Sequence, residues 1–243
     1  MLTKNQVKDI QSLYHKKYRA DSNLFVAEGP KLAQELLSHE SVIQHIYATK
    51  EWTQRHQTIN VAITEVTEIE LSRISKMDTP NEVLVVAHQQ KQVDEPVLTG
   101  NLTLLLDGIQ DPGNLGSIIR TADWFGIDQV ICTSDSADIY NPKVVQSSMG
   151  SILRIKCWYK EPGEIHLQPL PVFGALLQGE SLYNIRKPDE GILIIGNEGR
   201  GIREPLLPLV THPITIPKKG NAESLNAAIA TGVILSWLTV SSQ

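Results

Sequence analysis

The sequence predicts an α/β protein in two parts: a small N-terminal α/β module and a larger C-terminal domain on a parallel sheet. Apolar runs of strand length alternate with helical patterns along the chain, the arrangement of βαβ units. In the second half, runs such as residues 102–106 and 192–195 are continuously apolar but for Thr103, as expected of strands buried on both faces. Between the halves, the polar stretch 89–96 ends in Pro96 and reads as a linker. The expected division is 1–90, a linker at 91–98, and 99–243.

In the first part, Val7, Ile10, Leu13 and Tyr14 fall at helical spacing and predict one amphipathic helix over residues 5–17. Residues 24–27 form a short apolar strand, and Gly29-Pro30 starts a helix where proline's missing N–H costs little. Strands follow at 42–48, 61–66 and 82–87. Thr67 and Glu70 form a capping box for a helix ending near Ile74. In the second part, strand 102–106 leads to helix 114–125, strand 129–132 and a helix at 142–149. Strands at 172–176, 192–195 and 213–216, a short helix at 205–210 and a closing helix at 224–238 complete the pattern.

The 243 residues carry a net charge of −5, which argues mildly against a nonspecific nucleic-acid coat but leaves room for a local basic face. Such a face exists at His15-Lys16-Lys17-Tyr18-Arg19, which reads equally well as a solvated helix end. No apolar run approaches the roughly 18 residues of a membrane span, and the first residues lack a signal-peptide core. Cys132 and Cys157 match no metal-ligand spacing. Both sit in apolar stretches, so buried thiols in a reducing cytoplasm are expected and no metal is.

Three blocks at strand ends carry the chemistry. The first, Asp111-Pro112-Gly113-Asn114-Leu115-Gly116-Ser117 with Arg120 behind it, offers a helix cap and a cation. The second, Gly196-Asn197-Glu198-Gly199-Arg200-Gly201, allows close backbone approach to a ligand and is neither a Walker loop nor a dinucleotide fingerprint. Glu198 needs a partner there, and Arg120 is a natural candidate. In the third, Ile216-Pro217 precedes Ser224-Leu225-Asn226, where Ser224 could cap the last helix and Asn226 sits in its first turn. Taken singly, each block has a purely structural account. Their convergence at strand ends suggests one pocket.

Together the blocks resemble the SpoU, or TrmH-like, branch of the SPOUT RNA methyltransferases. Asn114, Gly116 and Arg120 resemble its Asn-x-Gly-x-x-x-Arg motif; Gly196, Asn197, Glu198 and Gly201 resemble its Gly-Asn-Glu-x-x-Gly motif. Ile216, Pro217, Ser224, Leu225 and Asn226 resemble its third motif, and the likeness spans residues 102–238. Residues 16–19 followed by 24–29 resemble the family's small RNA substrate-binding domain, which would place Lys16, Lys17 and Arg19 on RNA.

The resemblance implies a deep trefoil knot, a homodimer and S-adenosyl-L-methionine bound in the knot loops. Gly196, Ile216, Leu225, Leu176, Asn197 and Pro217 would hold that cofactor, with residues 174–177 as a wall. Asn114, Arg120, Glu198, Ser224 and Asn226 would form the catalytic set for methyl transfer to a ribose 2′-hydroxyl, in ribosomal RNA ahead of transfer RNA. Lys218, and Ala227-Ala228, depart from the commonest family pattern without touching the polar set. Two other readings compete. A non-catalytic RNA-binding or ribosome-assembly factor would not need the intact polar set, and a nucleotide-dependent oxidoreductase lacks its fingerprint here.

Overall fold

The computed structural model describes residues 1–58, 60–165 and 170–239. The chain forms two compact units, one of residues 1–91 with 140–153, the other of residues 92–139 with 154–243.

The first unit holds a four-stranded sheet of β1 (Leu24–Glu28), β2 (Ile43–Ala48), β3 (Ile63–Glu65) and β4 (Val83–His88). Its order is β1-β4-β2-β3, with β4 antiparallel to β1 and β2, and β3 parallel to β2. Helices α1 (Lys4–Ser12), α2 (Lys16–Ser22), α3 (Pro30–Leu37), α4 (Lys50–Arg55) and α5 (Glu68–Ile74) surround it. The core under α1 and α5 joins Val7, Ile10 and Leu71 to Val26, Leu84 and Val86.

The single helix expected over residues 5–17 is two helices. Thr3 and Gln6 cap α1 reciprocally, and α1 ends at Ser12 so that Tyr14 can turn inward. Its hydroxyl donates to Glu28 Oε1 at 2.6 Å and lies 2.9 Å from the Ile74 carbonyl, the alternative acceptor for the same proton. Buried Glu28 also accepts from the Ser75 hydroxyl and the Lys76 N–H. Burial, and then the Glu28 charge, push the Tyr14 phenol far above its ordinary range. Replacing Glu28 by alanine strands these donors, and urea unfolding should register a loss of about 1–3 kcal/mol.

The second unit holds six strands: β5 (Leu102–Leu106), β6 (Gln129–Thr133), β7 (Lys156–Lys160), β8 (Val172–Ser181), β9 (Gly191–Ile195) and β10 (His212–Thr215). Their order is β10-β8-β9-β5-β6-β7 and every pairing is parallel. Strands β6 and β9 are buried at every position, β9 through an unbroken apolar run and β6 with Gln129 and Thr133 at its ends. Helix α6 (Pro112–Trp124) follows β5, and α8 (Ala227–Thr239) follows β10. They pack closely enough that a Cβ on Gly232 would lie 3.7 Å from a Thr121 methyl.

Helix α7 (Pro142–Ser148) belongs to the first unit, although its sequence lies between β6 and β7. The Tyr140 ring lies 4.9 Å from Phe25, and its hydroxyl both accepts from and donates to the Gln90 backbone. Strand β7 and helix α4 were not expected from the sequence. The stretch Lys-Cys-Trp-Tyr-Lys is an edge strand whose charged ends hide the apolar pattern. Cys132 and Cys157 are free thiols, 3.8 Å apart at sulfur.

Candidate active site

Strand β5 ends at Leu106, and the turn that follows leads into α6. Asp111, not Asn114, caps that helix: its Oδ1 accepts from the Asn114 N–H at 2.8 Å, with Pro112 at the first position. The Asn114 side chain is thereby freed. Its Nδ2 donates to Glu198 Oε1, and its Oδ1 accepts from Asn226 Nδ2 at 2.9 Å. A hydrogen-bonded line Glu198–Asn114–Asn226 therefore joins all three blocks.

The Glu198 loop is shaped by its neighbours. Asn197 and Gly201 exchange backbone hydrogen bonds, and Asn197 Oδ1 accepts from the Gly199 and Arg200 N–H groups. Asn197 Nδ2 donates to the Gly108 carbonyl at 2.8 Å, tying this loop to the end of β5. A Cβ on Gly196 would collide with the backbone of Gly201 and Ile202, so this turn requires glycine.

Asn226 is the residue that caps α8. Its Oδ1 accepts from the Ala228 and Ile229 N–H groups at 3.0 and 3.3 Å, and the helix starts at Ala227. Ser224 lies in the exposed loop before it, outside the cap that the sequence offered it. One asparagine thus caps a helix and orients Asn114 at once.

Two expected pairings differ. Glu198 is paired with Asn114 instead of Arg120. Arg120 lies on the exposed side of α6, six residues and about 240° around the helix from Asn114. In the first unit, Arg19 is 2% exposed and its Nη1 donates to the Leu13 carbonyl at 2.9 Å. It braces the turn between α1 and α2, while Lys16 and Lys17 are exposed.

The remaining positions flank this line. Leu176 and Ile216 are half-buried, Pro217 is exposed, and Leu225 is 46% exposed. The Thr215 hydroxyl donates to the Leu177 carbonyl at 3.2 Å, bringing the 174–177 segment beside the start of the third block. Among the described residues no group of three or more His, Cys, Asp or Glu could hold a metal ion. Nor is any described helix long and apolar enough to cross a membrane.

The sequence reading missed an ionic cluster beneath these loops. Arg203 Nε donates to Asp107 Oδ1 at 2.6 Å, and its Nη atoms donate to both Asp135 oxygens at 3.0 Å each. Asp107 follows a buried strand as Glu198 does, and that shared position was the available signal. Partial burial works against the Asp135 charge, but the Thr133 hydroxyl and Arg203 outweigh it and hold the carboxyl below its ordinary 3.8. A depressed carboxylate stabilises the fold above its unfolded pKa, and that contribution disappears as pH falls through the folded value. Thermal midpoints of wild type and Asp135→Asn should therefore differ at neutral pH and converge in acid.

Comparison with known proteins bears on this site. The model of the SpoU rRNA Methylase family matches residues 101–236, and that of the MRM3-like substrate binding domain matches 4–85. The chain is 33% identical to a 23S rRNA (guanosine(2553)-2'-O)-methyltransferase, RlmP, of Bacillus subtilis, covering 97% of this chain and 96% of that one. The AdoMet-bound SpoU methyltransferase AviRb of Streptomyces viridochromogenes superposes with a TM-score of 0.86 at 25% identity, over 98% and 97% of the two chains. An AdoMet-bound rRNA methyltransferase of Sinorhizobium meliloti gives 0.83 at 30% identity, over 98% and 95%. With its three motif loops joined at the strand ends and a family match over more than half its length, this chain belongs to the SpoU rRNA methylase family.

Proposed function

We propose that this protein transfers a methyl group from S-adenosyl-L-methionine to a ribose 2′-hydroxyl of ribosomal RNA. The observation that carries the reading is the Glu198–Asn114–Asn226 line, which ties three motif loops at the ends of parallel strands. Relatives that methylate 23S rRNA, and relatives solved with AdoMet, support it. A non-catalytic factor would have no use for so ordered a polar set.

The residues present fit the cofactor. Leu176, Ile216 and Leu225 offer partly open apolar surface for an adenine ring, and the tight turn at Gly196 leaves no side chain in the way. Asn197 and Pro217 frame the same loops. When bound, S-adenosyl-L-methionine supplies an electrophilic methyl on a sulfonium.

The rest of the chemistry falls to the protein. A ribose hydroxyl is a weak nucleophile whose oxygen must gain negative charge as it attacks. A cation held beside that oxygen lowers the barrier, and Arg120 takes this role. A guanidinium stays charged at neutral pH, so Arg120 acts as an electrostatic partner while the hydroxyl's proton is released to water as its oxygen takes the methyl group. Asn114, positioned by Glu198 and Asn226, orients the ribose, and Ser224 offers a hydroxyl from the loop beside it. Lys16 and Lys17 bind the RNA backbone through the substrate-binding unit.

The acting form is a homodimer. On α6, Arg120 and Trp124 are four residues apart and share a face, and Trp124 is 84% exposed. On α8, Ile229 is 57% exposed. A second copy covering this apolar surface would bring its own Arg120 near the site, which would account for Glu198 pairing with Asn114 instead of Arg120 within one chain. The deep knot of the family would run through the segment between β10 and α8. Trp124→Glu should convert a dimer to a monomer in analytical ultracentrifugation and lose methyl transfer with it; an unchanged, active dimer would rule this surface out.

A further inference from the structure

Arg203 stands two residues past the last motif glycine, and none of the three motif blocks includes it. Its backbone N–H donates to Asp107 Oδ2 at 2.7 Å and its Nε to Asp107 Oδ1 at 2.6 Å, so one carboxylate grips both backbone and side chain. The other end of the guanidinium forks onto Asp135. Asp135 Oδ1 accepts from the Thr133 hydroxyl at 2.7 Å, and Thr133 Oγ1 accepts from the Gly108 N–H at 2.8 Å. A single side chain thus fastens the loop after β9 to the ends of both β5 and β6.

We propose that Arg203 is a positioning residue for methyl transfer: it clamps the Gly196–Gly201 loop so that Glu198 meets Asn114. The proposal rests on the methyltransferase reading above. Asp107 is 1% exposed, and a carboxylate in that setting keeps its place only while its partner does. The planar fork of a guanidinium fixes direction as well as charge, so lysine cannot reproduce it. Gly108 sits at φ +65°, and its carbonyl takes the Asn197 amide. The clamp and the hydrogen bond that anchors the motif loop therefore meet within two residues of β5.

The test uses full-length Arg203→Met and Arg203→Lys at a temperature where far-ultraviolet circular dichroism matches wild type. A clamp predicts that kcat falls by about 100-fold, the scale of a small misplacement of catalytic groups, while KM for RNA stays unchanged. It also predicts amide hydrogen exchange roughly tenfold faster at Gly199 and Arg200, with β9 unaltered. Millimolar guanidinium should restore part of the rate to Arg203→Ala. Unchanged kcat and unchanged loop exchange in a folded variant would overturn the proposal and leave Arg203 a stabilising residue alone. If Arg203→Met does not fold, Arg203→Lys carries the same test, since it keeps a charge against Asp107. Should wild type itself transfer no methyl group, the reading of function falls; faster exchange at Gly199 and Arg200 would then uphold the clamp, and unchanged exchange would sink it.

Discussion

Replacing Arg120 by alanine is expected to lower kcat for methyl transfer by about 10²–10³-fold, the usual cost of removing one group that stabilises transition-state charge. The affinity for S-adenosyl-L-methionine should not change, because Arg120 is not among the residues assigned to hold the cofactor. The variant should also fold as wild type does: Arg120 is exposed and makes no described hydrogen bond or ion pair that a truncation would break. Arg120→Lys separates charge from shape. It keeps a cation but loses the planar fork, so partial activity would assign the role to charge, and full loss to geometry. Steady-state kinetics with calorimetry of cofactor binding reads both quantities. Full activity in Arg120→Ala would remove the residue from the mechanism.

The second large effect is expected at Gly196. A methyl group there meets the backbone of Gly201 and Ile202, atoms that cannot rotate aside. The loop must open, at a cost of about 1–3 kcal/mol. Opening separates Asn197 from Gly108 and Glu198 from Asn114, so one added carbon disturbs the loop proposed to hold the cofactor and the polar line together. Gly196→Ala should therefore bind S-adenosyl-L-methionine at least tenfold more weakly, a change of about 1.4 kcal/mol. Glu198→Gln, which keeps the loop but alters the charge, should bind it normally and lose rate. A Gly196→Ala protein with normal affinity would show that the turn tolerates a side chain.

How legible this was depends on what kind of interaction fixes each residue. The parallel sheet could be read because β5 and β9 are buried on both faces and, Thr103 apart, are apolar throughout. Strand β7 could not, because an edge strand with Lys156 and Lys160 at its ends satisfies a weaker rule. The break after α1 was hidden for another reason. Val7, Ile10, Leu13 and Tyr14 fit one helix, and only the distant partners of Tyr14, with the Arg19 guanidinium on the Leu13 carbonyl, turn the chain. At the site, the three blocks were visible as motifs, yet their local geometry was not. Asp111 and Asn226 took the capping places that the sequence allotted to Asn114 and Ser224, because a cap is decided by which side chain reaches a free N–H. The Asp107–Arg203–Asp135 cluster joins residues up to 96 apart in sequence, and no local pattern announces such a pairing.

The most direct test of the account is methyl transfer from labelled S-adenosyl-L-methionine to ribosomal RNA that lacks this protein's modification, followed by nucleoside mass spectrometry. One new 2′-O-methylated nucleoside is expected with wild type and none with Asn114→Ala. Methylation on a base would contradict the assigned acceptor, and cofactor binding without any transfer to ribosomal RNA would contradict the assigned substrate.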